Sequence, residues 1–327
     1  MRSRLFALLV AAACGSALAQ TATLPDGPRV PSLPEASFER IDEAMRDRVA
    51  TSDSADALFV RGLQATMDPG ARVASYAEAW RRQPAELLFL ASFADACMVR
   101  AVPAWPDCAA VDPVSRWAAR DADNAVPRVL LAERARQRGD LPGMREQLGY
   151  AADLARFVSY RPRGGPAVWR VLSGIPAVAR EPEAPFAAAA LGSMRADVAT
   201  TEATQLCQNG APGVGVEVAE PCKRLARAMA DHADTFGARL IGLALAWSWA
   251  GDDAERRRLA AERDRVTAAS LACGEARLAW IERLNRDAAS RDAARRAEAA
   301  SLDDAATLDE PAACARWVAR TKAANLI

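Results

Sequence analysis

The 327-residue chain predicts an all-α fold, with antiparallel helical hairpins stacked as an irregular α-solenoid. Three observations carry this expectation. Alanine is abundant while β-branched and aromatic residues are sparse, a composition that favours helix because alanine loses no side-chain entropy there. Apolar residues recur at three- and four-residue spacing, and few windows alternate as a strand requires. Punctuation for helices stands between those runs: Asp68-Pro69, Asp112-Pro113 and Asp123-Asn124 at starts, Gly139 and Gly251 at ends.

The first residues are of a different kind. Arg2 and Arg4 make a positive start, Leu5 to Ala13 an apolar core and Ala17-Leu18-Ala19 a small-x-small pattern, so residues 1–19 read as an export signal peptide cut before Gln20. Its core is too short for a stable membrane span, and no later stretch offers about 20 uninterrupted apolar residues. Cys14 follows three alanines in faint resemblance to a lipoprotein cleavage box. The large aliphatic residue expected three positions before that cysteine is absent, so acyl anchoring through Cys14 is the lesser alternative. Residues 20–33 contain Pro25, Gly27, Pro28 and Pro31, offer little to bury and read as a flexible leader.

An N-terminal helical-repeat lobe follows over residues 34–160. Pro34 and Glu35 open a helix with Phe38, Ile41 and Met45 on one face, and Asp53 or Ser54 caps the next, holding Leu58, Phe59 and Leu63. Asp68-Pro69 begins a partner lined by Val73, Tyr76 and Trp80; Pro84 separates it from an apolar helix running from Leu87 to Cys97. After Val102 to Pro106, which two prolines keep out of helix, Asp112-Pro113 starts a short helix with Trp117. The next hairpin is the most legible. Asp123 and Asn124 can cap a helix with Val126, Val129 and Leu130, Gly139 releases the chain, and Pro142 begins a second helix striped by Met144, Leu148, Ala151 and Ala155. These make seven helices in the lobe. One hairpin cannot bury both stripes alone and needs neighbours.

Asn124, Ala125, Leu131, Ala132, Gly139, Asp140, Leu148 and Ala151 resemble the small, large and turn positions of the tetratricopeptide repeat, a unit of about 34 residues. Ala57 to Pro84 and Gly237 to about Ser270 are similar to it as well. Met144 departs from the alanine the family prefers, and no unbroken period runs through the chain. The resemblance implies a curved helical scaffold that binds a peptide or protein on its concave face, without catalysis of its own.

Residues 161–185 form a Pro/Gly-rich connection, with room for a short helix over Ala167 to Leu172. The C-terminal helical lobe, 186–327, begins with a helix from Glu183 or Ala184 through Leu191 and Met194 to Val198, then a short one ending at Cys207. Gly210 to Val218 reads as a loop; it lacks the Gly-Lys-Ser/Thr ending of a nucleotide-binding loop. Pro221 opens a helix with Leu225 and Met229, and another spans Asp234 to Ala250. Its partner carries Leu259 and Val266, and a separate helix holds Leu278, Trp280 and Ile281. Asn285 to Asp304 reads as an exposed helix supported by opposite charges, and Pro311 starts a final one with Trp317.

Beyond the signal, Cys97, Cys108, Cys207, Cys222, Cys273 and Cys314 remain, an even number that predicts disulfides in an oxidising compartment such as the bacterial periplasm. Neighbours in sequence are the economical pairing. Metal-ligand spacing and Cys-x-x-Cys are absent, so no metal or cofactor is expected.

Lys plus Arg and Asp plus Glu balance at 42 each, with both signs interspersed. That is no field for nucleic acid. The single histidine, His232, and the absence of hydrolase or dinucleotide motifs argue against common catalytic machinery, so no catalytic residue is assigned. The alternative is an all-helical envelope glycan hydrolase using two carboxylates drawn from Glu133, Glu146, Glu202, Glu217, Glu275 and Glu282. A purely structural envelope role is a further alternative. Tyr76, Trp80, Trp105, Trp117, Tyr160 and Trp169 are either core anchors or the aromatic lining of a groove for a protein, peptide or envelope glycan.

Overall fold

The computed structural model describes residues 35–98, 105–195, 197–208, 216–284 and 288–323. The export signal, the leader, Cys14, the Val102 to Ala104 stretch and most of the Gly210 to Val218 loop lie outside them. Every regular element described is helical. Pairing of β type is limited to two isolated bridges, Asn124 with Arg156 and Phe157 with Ala233.

The helices are α1 (Glu35–Thr51), α2 (Ala55–Gln64), α3 (Pro69–Arg82), α4 (Leu87–Met98), α5 (Pro106–Val111), α6 (Pro113–Arg120), α7 (Ala125–Gln137) and α8 (Leu141–Ala152). They continue as α9 (Gly164–Ser173), α10 (Ala184–Gly192), α11 (Val198–Cys207), α12 (Ala219–His232), α13 (Phe236–Ser248), α14 (Asp253–Leu284), α15 (Ala288–Thr307) and α16 (Glu310–Ala323). Two compact units share the chain. Among the described residues, the first takes those up to Leu63, those of Pro162–Arg195 and those from Ala268 on; the second takes those of Gln64–Arg161 and Ala196–Thr267.

The second unit is a run of stacked pairs: α3 on α4, α4 on α6, α6 on α7, α7 on α8, α8 on α12 and α12 on α13, with α11 against α7 and α13. Asp68 and Asp112 cap α3 and α6 through Ala71 N (3.0 Å) and Ser115 N (3.4 Å), each ahead of a proline in the first turn. The α7–α8 turn rests on Gly139, whose φ of 75° puts it in the left-handed region. Gly139 N donates to Arg136 O (3.0 Å) and Asp140 N to Ala135 O (2.9 Å), satisfying carbonyls that the helix end would orphan. Asp140 then caps α8 through Gly143 N at 3.0 Å.

Between these helices the segment 156–160 is held by two buried carboxylates. Asp121 accepts from Trp117 Nε1 (3.2 Å), Asn124 Nδ2 (2.7 Å), Tyr160 Oη (2.9 Å) and Arg156 Nη1 (3.2 Å). Asp234 accepts from Ser159 N (3.0 Å), Ser159 Oγ (3.0 Å) and Tyr160 N (2.8 Å), fixing Tyr160 at a φ of 61°, a conformation side chains rarely adopt. Burial and the Asp121 charge push the Tyr160 phenol well above its ordinary range.

In the first unit α9 packs on α10, both pack on α1 and α15, and α15 packs on α16. The α9–α10 contact is backbone on backbone. A Cβ on Gly192 would meet Gly165 N at 2.0 Å, and one on Gly164 would meet Gly192 O at 2.4 Å.

Several expectations change. Pro106–Val111 is a helix, with proline in its first turn where no amide is required. The helix from Ala184 stops at Gly192; Asp197 caps a new one through Thr200 N (3.1 Å). Asp234 precedes α13, whose cap is Thr235 through Ala238 N at 3.1 Å. The two helices expected over 253–284 are one, because nothing in its alanine-rich middle breaks it. The exposed helix expected over 285–304 instead buries Ala294, Ala297, Glu298, Ser301 and Leu302. At three- and four-residue spacing these residues form one stripe, in which Ala294, Ala297 and Ser301 let α15 approach its neighbours closely. Its opposite-charge pairs, Asp292 with Arg295 and Arg296, lie on the exposed side.

Disulfides join Cys97 to Cys108, Cys207 to Cys222 and Cys273 to Cys314, with Cα separations of 5.7, 5.2 and 6.1 Å. These are the pairs of sequence neighbours, and such bonds fit an oxidising compartment. Among the described residues no helix is long and apolar enough to cross a membrane.

Candidate functional site

The apolar face of α1 is buried within its unit. Phe38, Ile41 and Met45 stand along it at helical spacing and face α9 and α10, where Leu172, Phe186, Ala187, Ala190, Leu191 and Met194 complete a half-open groove of about 140 Å³. The α10 wall stands close to α9 because Gly164, Gly165 and Gly192 leave room for the backbones to touch. The sole charged lining residue is Asp42, paired with Arg46 at 3.0 Å.

Size decides what such a groove could hold. Sites for drug-sized ligands run to about 300–1,000 Å³. An apolar cavity of about 150 Å³ takes benzene. The groove therefore matches one aromatic or branched aliphatic side chain, and its apolar lining offers little to a glycan.

Its floor is rigid. Phe38 meets Phe186 edge-on at 6.3 Å, and Phe186 stacks on Trp280 at 5.9 Å. Trp280 belongs to a buried cluster with Ile281, Ala276, Ala294 and Trp317. Against this cluster sits Glu298, 1% exposed. Its Oε1 lies 4.0 Å from Arg277 Nη2, in ion-pair range but beyond a hydrogen bond, while the Arg277 guanidinium stacks over the Trp317 ring at 5.5 Å. Glu298 Oε1 and the indole nitrogens of Trp280 and Trp317 complete no hydrogen bond. Burial pushes the Glu298 carboxyl above its ordinary value, with Arg277 and the Trp317 indole pulling the other way. Glu183, which precedes α10, is also raised by burial.

The six aromatic candidates do not converge. Tyr76, Trp117 and Tyr160 are buried in the core of the second unit, Trp117 and Tyr160 packed 6.2 Å apart around Asp121. Trp80 is half-buried beside Phe93 with Arg116 over its ring, Trp105 lies against Gly70, and Trp169 is half-buried on α9 away from the groove lining. Among the candidate carboxylates, Glu133 and Glu202 act on one arginine. Glu133 is fully buried, bonded to Arg136 Nε (2.7 Å) and Nη2 (2.8 Å) and Gln137 Nε2 (2.8 Å); Glu202 is buried on α11 and acts on the same Arg136. Glu146 accepts from Tyr150, Glu217 pairs with Arg145, and Glu275 is exposed. The side chain of Glu282 lies outside the described residues. His232 is exposed at the end of α12. Among the described residues no three His, Cys, Asp or Glu side chains are grouped to hold a metal.

Sequence reasoning found the α1 wall as an apolar face and missed the other. The available signal was the apolar run from Phe186 to Leu191, placed beside prolines and read only as a helix. Fold and groove together define a disulfide-stapled, all-α hairpin protein with an apolar seat. Compared with protein-family models, curated proteins and solved structures, the chain matches none.

Proposed function

We propose that this chain is an exported, tetratricopeptide-like helical scaffold of the bacterial envelope that binds a protein or peptide partner by seating one apolar side chain between α1, α9 and α10, without catalysis of its own. The groove carries this reading, since it is half-open, almost wholly apolar and sized for a single anchor. The export pattern of residues 1–19 and the three disulfides support the compartment. A hydrolase reading draws no comparable support, because Glu133 is already committed to Arg136 and Gln137.

Burying one Leu- or Phe-sized side chain contributes about 1.5–3 kcal/mol, roughly a 10- to 150-fold gain in affinity. The partner must therefore add contacts around the seat. A photo-crosslinking residue placed at Met194 in the exported protein, in intact cells, tests this. The expected result is a defined adduct that disappears when Ala190→Trp fills the groove. No adduct from Met194, Ala187 or Leu191 would overturn the reading.

A further inference from the structure

We infer that protonation of Glu298 regulates the groove, a neutral carboxyl holding it ready and an ionised one loosening it; this rests on the groove being a binding site. The route is a chain of packed rings. Phe38 and Phe186 line the groove and also belong to the buried cluster of Trp280 and Trp317. Ala294, one turn before Glu298 on α15, lies in the same cluster. Glu298 thus sits on the far side of the groove's floor.

Its surroundings are poised between two arrangements. With Glu298 neutral, Arg277 stays stacked over Trp317, and the carboxyl needs no counter-charge. With Glu298 ionised, a buried charge has to gain hydrogen bonds. The donors beside it are Arg277, 4.0 Å away, and the Trp317 indole, which already pulls the carboxyl toward its ionised form. A charge-assisted bond needs about 2.8 Å, so Arg277 would have to move toward the carboxylate from 4.0 Å, shifting the guanidinium that stacks over Trp317. That motion disturbs the cluster on which Phe186 rests.

Few other charges compete. From α16, Arg316 and Arg320 pair with Asp304 at 3.4 and 2.8 Å, while the buried Arg320 Nη1 completes no hydrogen bond. On α15 itself Asp292 pairs with Arg295 and Arg296. On α9, Arg170 is held by Asp56 at 2.6 Å. Ahead of α10, Glu183 is the second buried carboxyl, with Glu181, Arg40 and Arg291 near it, and serves as the control.

The test uses the disulfide-intact protein without its signal peptide and indole as a neutral probe, with affinity measured by titration calorimetry from pH 4.5 to about pH 8. Wild-type affinity should fall about tenfold across that range, the coupling expected if groove occupancy shifts the carboxyl by one pKa unit. Glu298→Gln should keep the low-pH affinity throughout, and Glu183→Gln should follow the wild type. Indole binding with the same pH profile in wild type and Glu298→Gln overturns the regulation and leaves the groove standing. Indole binding lost at every pH, as in Ala190→Trp, removes the groove and the regulation together. A profile flattened by Glu183→Gln instead of Glu298→Gln also overturns the assignment.

Discussion

Replacing Asp121 by alanine tests whether the second unit depends on its buried polar junction. The carboxylate serves three donors inside the unit, the Trp117 indole, the Asn124 amide and the Tyr160 hydroxyl, and receives Arg156 from the edge. Alanine would take this acceptor from the buried Trp117 indole and Tyr160 hydroxyl, while the Asn124 amide keeps Val158 O at 2.8 Å. Arg156 would keep Asp123 at 2.7 Å, so its loss is small. An orphaned buried donor costs about 1–3 kcal/mol, and removing the charged member of a buried network about 3–5 kcal/mol. The expected cost of Asp121→Ala is about 3–5 kcal/mol, a large share of the roughly 5–15 kcal/mol typical of a folded domain. Tyr160→Phe removes one donor and leaves the carboxylate served by the others, so about 1 kcal/mol is expected. Two compact units need not unfold together, so urea unfolding should be read locally, by amide exchange over residues 124–130 and 156–160. A cost below about 1 kcal/mol for Asp121→Ala, or one equal to that of Tyr160→Phe, would refute the argument.

Glu298→Gln should stabilise the first unit at neutral pH and leave it nearly unchanged in acid. The folded carboxyl is raised above its unfolded value, so its favourable contribution is present below the ordinary pKa of 4.5 and is lost as pH rises through the folded value; melting curves at both ends check the sign. Gly192→Leu should destabilise the α9–α10 pair by about 1–3 kcal/mol or prevent folding, because the added Cβ meets backbone at 2.0 Å; thermal unfolding reads this. Changing Cys207 and Cys222 together to serine opens a link 15 residues apart in sequence and should cost about 3 kcal/mol in denaturant unfolding.

Much of the architecture was legible because its signals are local. Asp68, Asp112, Asn124 and Gly139 are short-range instructions for helix ends, and each occupies the predicted role. Proximity in sequence also gave the cysteine pairs. The illegible features depend on residues far apart. Asn124 is recognisable as a cap, yet nothing nearby shows that its amide donates to Val158 O at 2.8 Å as well as to Asp121. Asp234 resembles a helix start until Ser159 and Tyr160 are brought to it. The buried stripe of α15 was hidden because alanine marks helix equally well inside and outside a core. The groove likewise depends on bringing α1 against α9 and α10, which no local pattern states.

The route of the chain through the two units sets an order of assembly. Every stretch of the second unit has emerged by Thr267, whereas the first unit still lacks its closing stretch. Phe38, made early, cannot reach its finished surroundings until Trp280 and Trp317 have followed. The leading helix thus waits with its apolar face unfilled for most of synthesis, so even a modest deletion at the far end should be felt at the beginning.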